Sequence, residues 1–264
     1  MTKKRHSNIL HTLISLAILL FLWQMLSMTG LFGRYSPEMV ALILPSPGDI
    51  FRTFFEMLRS GELLKHLGVS LYRVGAGFVT AALIGVPMGM AMAVFPRIYK
   101  YFTPFVRIFQ PIPGIAWIPM AIIWFGIGNQ AAIFIITLGS LFPIILNTLQ
   151  GMEDVDRDLV QAAQTLGAGR QVIFFKVILP SLIPYLLTGF RIAIGFGWRG
   201  VIAAEMVGVG NGLGYLLSYG RGIGRTDYTI VTMVSLAIIM LILEQLLFGP
   251  AEQKTWHWRR GWRS

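Results

Sequence analysis

With 264 residues, 55% of them hydrophobic and only 13% charged, the chain is too apolar for a soluble domain, which carries roughly 25% charged residues. Its mean hydropathy is +0.67, and the apolar content arrives in long blocks, so a single membrane domain is the simplest organisation. The net charge of +10 sits between and beyond those blocks, which marks the basic residues as topological determinants and not as a nucleic-acid surface. Cysteine is absent, excluding a disulfide framework and a thiolate metal site.

The N-terminus, Lys3-Lys4-Arg5-His6, precedes an apolar run from Ile9 to about Thr29. That run has spanning length and no small-residue cleavage site at its outer end, so it reads as an uncleaved first helix, not as a secretory signal. In the next segment Ser46-Pro47-Gly48-Asp49 supplies an N-cap, a proline at the first helical position and an acid in the first turn. A helix is expected there, ended by Gly61. Its Ile50, Phe51, Phe54, Phe55 and Leu58 recur at helical spacing, as in a helix that lies on a membrane surface or packs on other spans.

Five further blocks, about 74–94, 111–125, 131–149, 181–204 and 229–248, can host spans. This predicts an all-α integral membrane fold with about six transmembrane helices. The block at 111–125 is interrupted by Pro111, Pro113 and Pro119, and a broken helix is tolerated only where protein or a cavity surrounds it. Ala81, Gly85, Gly89 and Ala93 share one face of the second span, and Gly189, Ala193 and Gly197 share one face of the fifth. Such stripes let helix backbones approach closely, here within one subunit in preference to a subunit interface. The chain divides into an N-terminal helix with an outer amphipathic segment (1–65), a transmembrane core (66–250) and a basic, aromatic tail (251–264).

Placing the N-terminus in the cytoplasm puts thirteen of the 22 Lys and Arg residues inside, among them Arg97, Lys100, Arg107, Arg157, Arg170 and Lys176. Arg52, Arg59, Lys65 and Arg73 then fall in the first outer loop. Both termini are expected in the cytoplasm of a multi-pass protein of a bacterial inner membrane, with Trp256, Trp258 and Trp262 as an interfacial anchor beside membrane lipid.

The polar stretch 151–180 is the long cytoplasmic loop. Asp154, Asp156 and Asp158 are cap candidates for a helix over 159–166, which Gly167 stops, and a second helix over 168–178 is closed by Pro180. Within it runs the spacing Gln161-Ala162-Ala163, three residues, Gly167, nine residues, Val177-Ile178-Leu179-Pro180. This pattern resembles the EAA loop of ABC importer permeases. It departs only at Gln161, where Glu is usual, and at Val177, where Ile is usual. Other passages extend the resemblance over roughly 40–248 and narrow it to permeases of the nitrate, taurine and aliphatic sulfonate type. They are Leu44-Pro45-Ser46-Pro47, Ser70-Leu71-Tyr72-Arg73-Val74, Pro111-Ile112-Pro113 with Ala116-Trp117-Ile118-Pro119, Trp124-Phe125-Gly126-Ile127-Gly128, and Ala204-Glu205-Met206 with Gly212-Leu213-Gly214-Tyr215.

The resemblance implies a type I ABC importer permease fold, acting as a homodimer with an ATP-binding cassette ATPase dimer and an external solute-binding protein, periplasmic or lipid-anchored. The loop would dock on the ATPase through Gln161, Ala162, Ala163, Gly167, Val177, Leu179 and Pro180. No Gly-x-x-x-x-Gly-Lys-Ser/Thr phosphate loop occurs in the sequence, so ATP is expected on the partner and no cofactor, metal or catalytic residue on this chain. Ionisable groups inside a span are functional candidates by default, which singles out Arg191, Arg199 and Glu205 as a lining for an oxyanion path. The arginines lie about 80° apart and two turns from each other on a 3.6-residue helix. The structural alternative has Arg191 reaching the inner surface and Arg199 pairing with Glu205. An ion-coupled secondary transporter or channel is the competing function; it calls for repeats and embedded carboxylates that the sequence does not display.

Overall fold

The computed structural model describes the backbone of residues 2–29, 39 and 42–260, and the side chains of 17–28, of a few other residues before 42 and of most residues from 42 to 248. Among the described residues every regular element is helical. They are α1 (Thr2–Thr29), α2 (Pro47–Arg59), α3 (Glu62–Val94), α4 (Pro96–Phe109), a 3₁₀ turn (Gly114–Trp117), α5 (Ile118–Phe125), α6 (Asn129–Glu153), α7 (Arg157–Thr165), α8 (Arg170–Ile173), α9 (Leu179–Gly208), α10 (Leu213–Gly222) and α11 (Thr226–Arg260). The anchor expected of Trp256, Trp258 and Trp262 falls on side chains outside the described residues.

The centre of the fold is α6, packed between α3 and α9. Lipid tails are as apolar as leucine, so close packing and not water exclusion must hold such helices together. The small-residue stripes do this within the chain. A Cβ added at Gly85 would sit 2.9 Å from Ile144, and one at Gly89 would sit 2.6 Å from Thr148, both on α6. On α9, Gly189 presses on Asn147 and Gly197 on Ile136 and Ser140 of the same helix. Around this sandwich α2, α10 and α11 close an apolar core that includes Met57, Trp198, Leu213, Leu216 and Val231.

Helix α2 starts as its sequence dictates. The Ser46 hydroxyl accepts from the Asp49 amide and the Asp49 carboxylate accepts from the Ser46 amide, both at 3.2 Å, a reciprocal capping box. Its apolar residues divide: Ile50 and Phe54 pack on the core, whereas Phe51 and Phe55 face outward. Thr53 ties the helix to α11 by donating to Asp227 at 2.7 Å.

Among the described residues four helices are long and apolar enough to cross a membrane: Glu62–Val94, Asn129–Glu153, Arg170–Gly208 and Thr226–Leu246. Pro96–Phe109 with Gly114–Phe125 forms a fifth only as a pair bent by 92°, and α1 contributes the shorter apolar helix Ala17–Met28, so a count of six is approximate. The expected span at 111–125 is therefore not one straight helix. Pro111 and Pro113 have no amide hydrogen to give, and the chain turns there before eight residues of α5 resume.

Two other boundaries differ from expectation. The second span starts at Glu62 and not near residue 74, so Arg73 lies inside a helix and not in the outer loop. Pro180 does not close a separate helix; Arg170–Gly208 runs as one 39-residue rod. A π-helical turn at Phe174–Ile178, in which the Leu179 amide donates to the Phe174 carbonyl, carries the helix past the proline.

Candidate functional site

The loop that joins α6 to α9 is a compact knob. The Asp156 side chain caps α7 by accepting from the Asp158 amide at 2.9 Å. At the other end Gly167 adopts φ 78°, a left-handed turn that glycine enters without steric cost, and the Ala168 amide closes it on the Ala163 carbonyl at 3.0 Å. Gln161, Ala162 and Gly167 are exposed, Ala163 is half-buried, and Leu166 at the tip is 88% exposed. Val177, Leu179 and Pro180 are half-buried in the π turn and the start of α9. Gln161 also lines a cleft of about 460 Å³ between the knob and the ends of α3 and α6, together with Val160, Gln164 and Ile178.

The knob is rooted firmly. Gly151 lies so close to α9 that an added Cβ would stand 2.6 Å from Tyr185. One turn on, the Tyr185 hydroxyl donates to Asp154 at 2.6 Å and Gln150 donates to the same carboxylate at 3.1 Å. These two bonds, Tyr185 first, hold the Asp154 carboxyl below the ordinary range.

The three charged candidates on α9 are not brought together. Arg191 pairs with Glu244 of α11, its Nε donating at 2.8 Å. Arg199 is exposed, its guanidinium 5.8 Å from the Phe196 ring centroid. Glu205 is 1% exposed and does not pair with Arg199. Its partner is Arg73, at 2.7 Å, with both side chains fully enclosed.

That pair is the centre of a polar cluster that the sequence did not reveal. Glu205 accepts from the Ser70 hydroxyl and from the Gly214 amide, each at 2.9 Å. Arg73 also donates to Asn129 at 2.8 Å, to the Asn211 carbonyl at 2.9 Å and to the Asn211 side chain. The amides of Gly212 and Leu213, which open α10, donate to His66 Nδ1 and Ser70 Oγ, each at 2.9 Å. The first-turn donors of α10 thus find acceptors on α3 and α9, as buried helix ends require. A Cβ at Gly214 would meet the Ile202 carbonyl at 2.5 Å, and one at Gly212 would overlap the Glu205 carboxylate, so both glycines are needed for the loop to close over the pair. The available signal was His66, Ser70 and Arg73 at spacings of four and three, one face of a helix. Among the described residues no group of three or more His, Asp or Glu side chains is placed to hold a metal ion.

A bundle of long apolar helices with one broken span and a protruding polar knob has the build of a membrane transport subunit. The family model for the binding-protein-dependent transport system inner membrane component matches residues 83–248, and the chain belongs to this family of ABC importer permease subunits. A putative ABC transporter permease of Methanocaldococcus jannaschii is 34% identical over 92% of this chain and 90% of its own length. The taurine transport system permease protein TauC of Escherichia coli is 32% identical, covering 92% and 88%. The nitrate import permease protein NrtB of a Synechocystis species is 29% identical, covering 94% and 92%. Among solved structures, the inward-facing MetNI methionine ABC transporter aligns with a TM-score of 0.59 over 73% of this chain and 94% of its own, a likeness of fold at 24% identity.

Proposed function

We propose that this chain forms the translocation path of an ATP-driven importer for a small oxyanion such as a sulfonate, taurine or nitrate. Two copies would build the path, an external binding protein would deliver the solute, and a separate pair of ATPase subunits would drive it from the cytoplasm, where both termini also lie. The observation that carries this reading is the knob. It is rooted at Gly151 and Asp154, ends in an apolar tip at Leu166, and joins two of the long apolar helices. An exposed leucine on a fixed support suits insertion into a partner groove. Gln161, Ala162 and Ala163 would form the docking face, Gly167 its turn, and Val177, Leu179 and Pro180 the stiff link into α9.

Motion at the knob would then be transmitted by the single rod Arg170–Gly208 to the opposite end of the bundle. In this reading Arg199 lines the path, while Arg191, held by Glu244, and Glu205, held by Arg73, fix α9 beside it. The oxyanion class is supported by the names of three relatives, for aliphatic sulfonates, taurine and nitrate, which share a compact anionic group. The test is reconstitution of the chain with an ATPase and a binding protein of the same importer class, followed by uptake of labelled taurine, alkanesulfonate and nitrate into proteoliposomes. Uptake of one of them that requires ATP and the binding protein is expected. Uptake driven by an ion gradient without ATP would overturn the reading.

A further inference from the structure

Helix α4 is an amphipathic element that neither the knob nor the polar cluster uses. Its fourteen residues carry Arg97, Lys100 and Arg107 and no acid, and the sequence contains no Asp or Glu from Leu63 to Met152. None of the three cations forms an ion pair among the described residues, and all are exposed. At 100° per residue they fall within an arc of about 80°. The opposite side is the attached one: Val106 is buried, and Ile98 packs with it against the ends of α3 and α6.

Beside the cationic arc lies a second exposed strip that is apolar. Tyr101 is 70% exposed, Phe105 59% and Ile108 63%. Water would not tolerate three such side chains in one row without a cover, whereas the boundary of a bilayer accepts an aromatic strip in the acyl region and a basic strip at phosphate depth. The sharp bend to α5 keeps α4 out of line with that segment, as an in-plane helix requires. Lys100, Thr103, Pro104 and Arg107 also border an open cleft of about 420 Å³ along the helix, room for a headgroup between two cations.

We propose that α4 is an interfacial helix that binds an anionic phospholipid, with Arg97, Lys100 and Arg107 on the lipid phosphate and Tyr101, Phe105 and Ile108 among its chains. Charge complementarity selects the acidic lipid over a zwitterionic one, since each base near an anionic surface strengthens binding about fivefold.

Native mass spectrometry of the purified protein with phosphatidylglycerol and phosphatidylcholine supplied together tests this. The wild-type chain is expected to retain phosphatidylglycerol preferentially. The triple variant Arg97→Gln, Lys100→Gln, Arg107→Gln should lose the preference, with roughly fivefold weaker binding per cation removed. The variant Arg97→Lys, Arg107→Lys, which keeps the charge, should retain it, separating loss of charge from loss of fold. Equal lipid retention by the wild type and the glutamine variant would overturn the proposal. So would displacement of the lipid by inorganic phosphate alone, or disulfide cross-linking of two copies through Tyr101→Cys in place of photocross-linking to lipid from that position.

Discussion

Replacing Glu205 by Ala should be among the most destabilising single changes in the chain. The carboxylate is fully enclosed and holds three partners: the Arg73 guanidinium at 2.7 Å and the Ser70 hydroxyl and Gly214 amide at 2.9 Å. Its loss leaves a buried cation uncompensated, which costs about 3–5 kcal/mol where one partner of a buried pair is removed. For a chain of this size each kcal/mol lowers the melting temperature by about 2–4 °C, so an apparent Tm about 10 °C below wild type is expected in detergent. The double variant Arg73→Met, Glu205→Leu removes both charges at similar volume and should recover most of that loss, because a matched apolar pair leaves no orphaned charge. Glu205→Gln, which keeps the size and one good acceptor, should fall between. The assay is thermal unfolding of the purified protein followed by intrinsic fluorescence. A Glu205→Ala protein that melts within 2 °C of wild type, on the scale of a change of about 1 kcal/mol, would refute the reasoning; so would a double variant no better than the single one.

Arg199→Gln should reduce uptake of the true solute while the assembled complex keeps its normal abundance, measured by transport beside quantitative immunoblotting; unchanged uptake would take Arg199 out of the path. At the root of the knob, Asp154 titrates below the ordinary aspartate value of about 3.9 because Tyr185 and Gln150 donate to its charged form. A depressed folded value means this contribution is present above the unfolded value and is lost only as pH falls through the folded one, so the root should be insensitive to pH near neutrality. Tyr185→Phe removes the larger cause and should move the carboxyl up toward its ordinary value in a ¹³C NMR titration; an unmoved titration would contradict the assignment. A reporter fused after Ser264 should be cytoplasmic and one placed near Gly128 external, and the reverse pattern would invert the topology.

What was legible in the sequence was local chemistry. The cap at Ser46, the stops at Gly61 and Gly167 and the packing glycines of α3 and α9 each act within a turn or two, or by the absence of a side chain, and the structure uses each as its neighbours suggested. The knob spacing was readable for the same reason. Arg73, a lone arginine early in an apolar block, looks like a loop residue in the sequence. Its partner Glu205 stands 132 residues away on another helix, and nothing periodic joins them. Once paired, the charge no longer bars Arg73 from a span, and α3 extends by more than three turns. Pro180 looks like a terminator because a proline in a helix interior tends to kink or break it, but a π turn can absorb the missing amide, and single-sequence spacing does not signal one. The broken third span was expected from its prolines, though the size of the bend depends on packing around it.

Coupling of the knob to an ATPase is tested by Ala163→Arg. Ala163 is half-buried in the knob, and a guanidinium there must fit where a methyl group sat. Overpacking alone costs about 1–3 kcal/mol, and 1.4 kcal/mol already weakens an equilibrium about tenfold. The measurement is the amount of ATPase that co-purifies with the membrane-inserted variant, together with ATP hydrolysis stimulated by the loaded binding protein. Normal insertion, a roughly five- to hundredfold loss of bound ATPase and no stimulated hydrolysis are expected. An Ala163→Arg protein that keeps both at wild-type levels would show that the ATPase docks elsewhere.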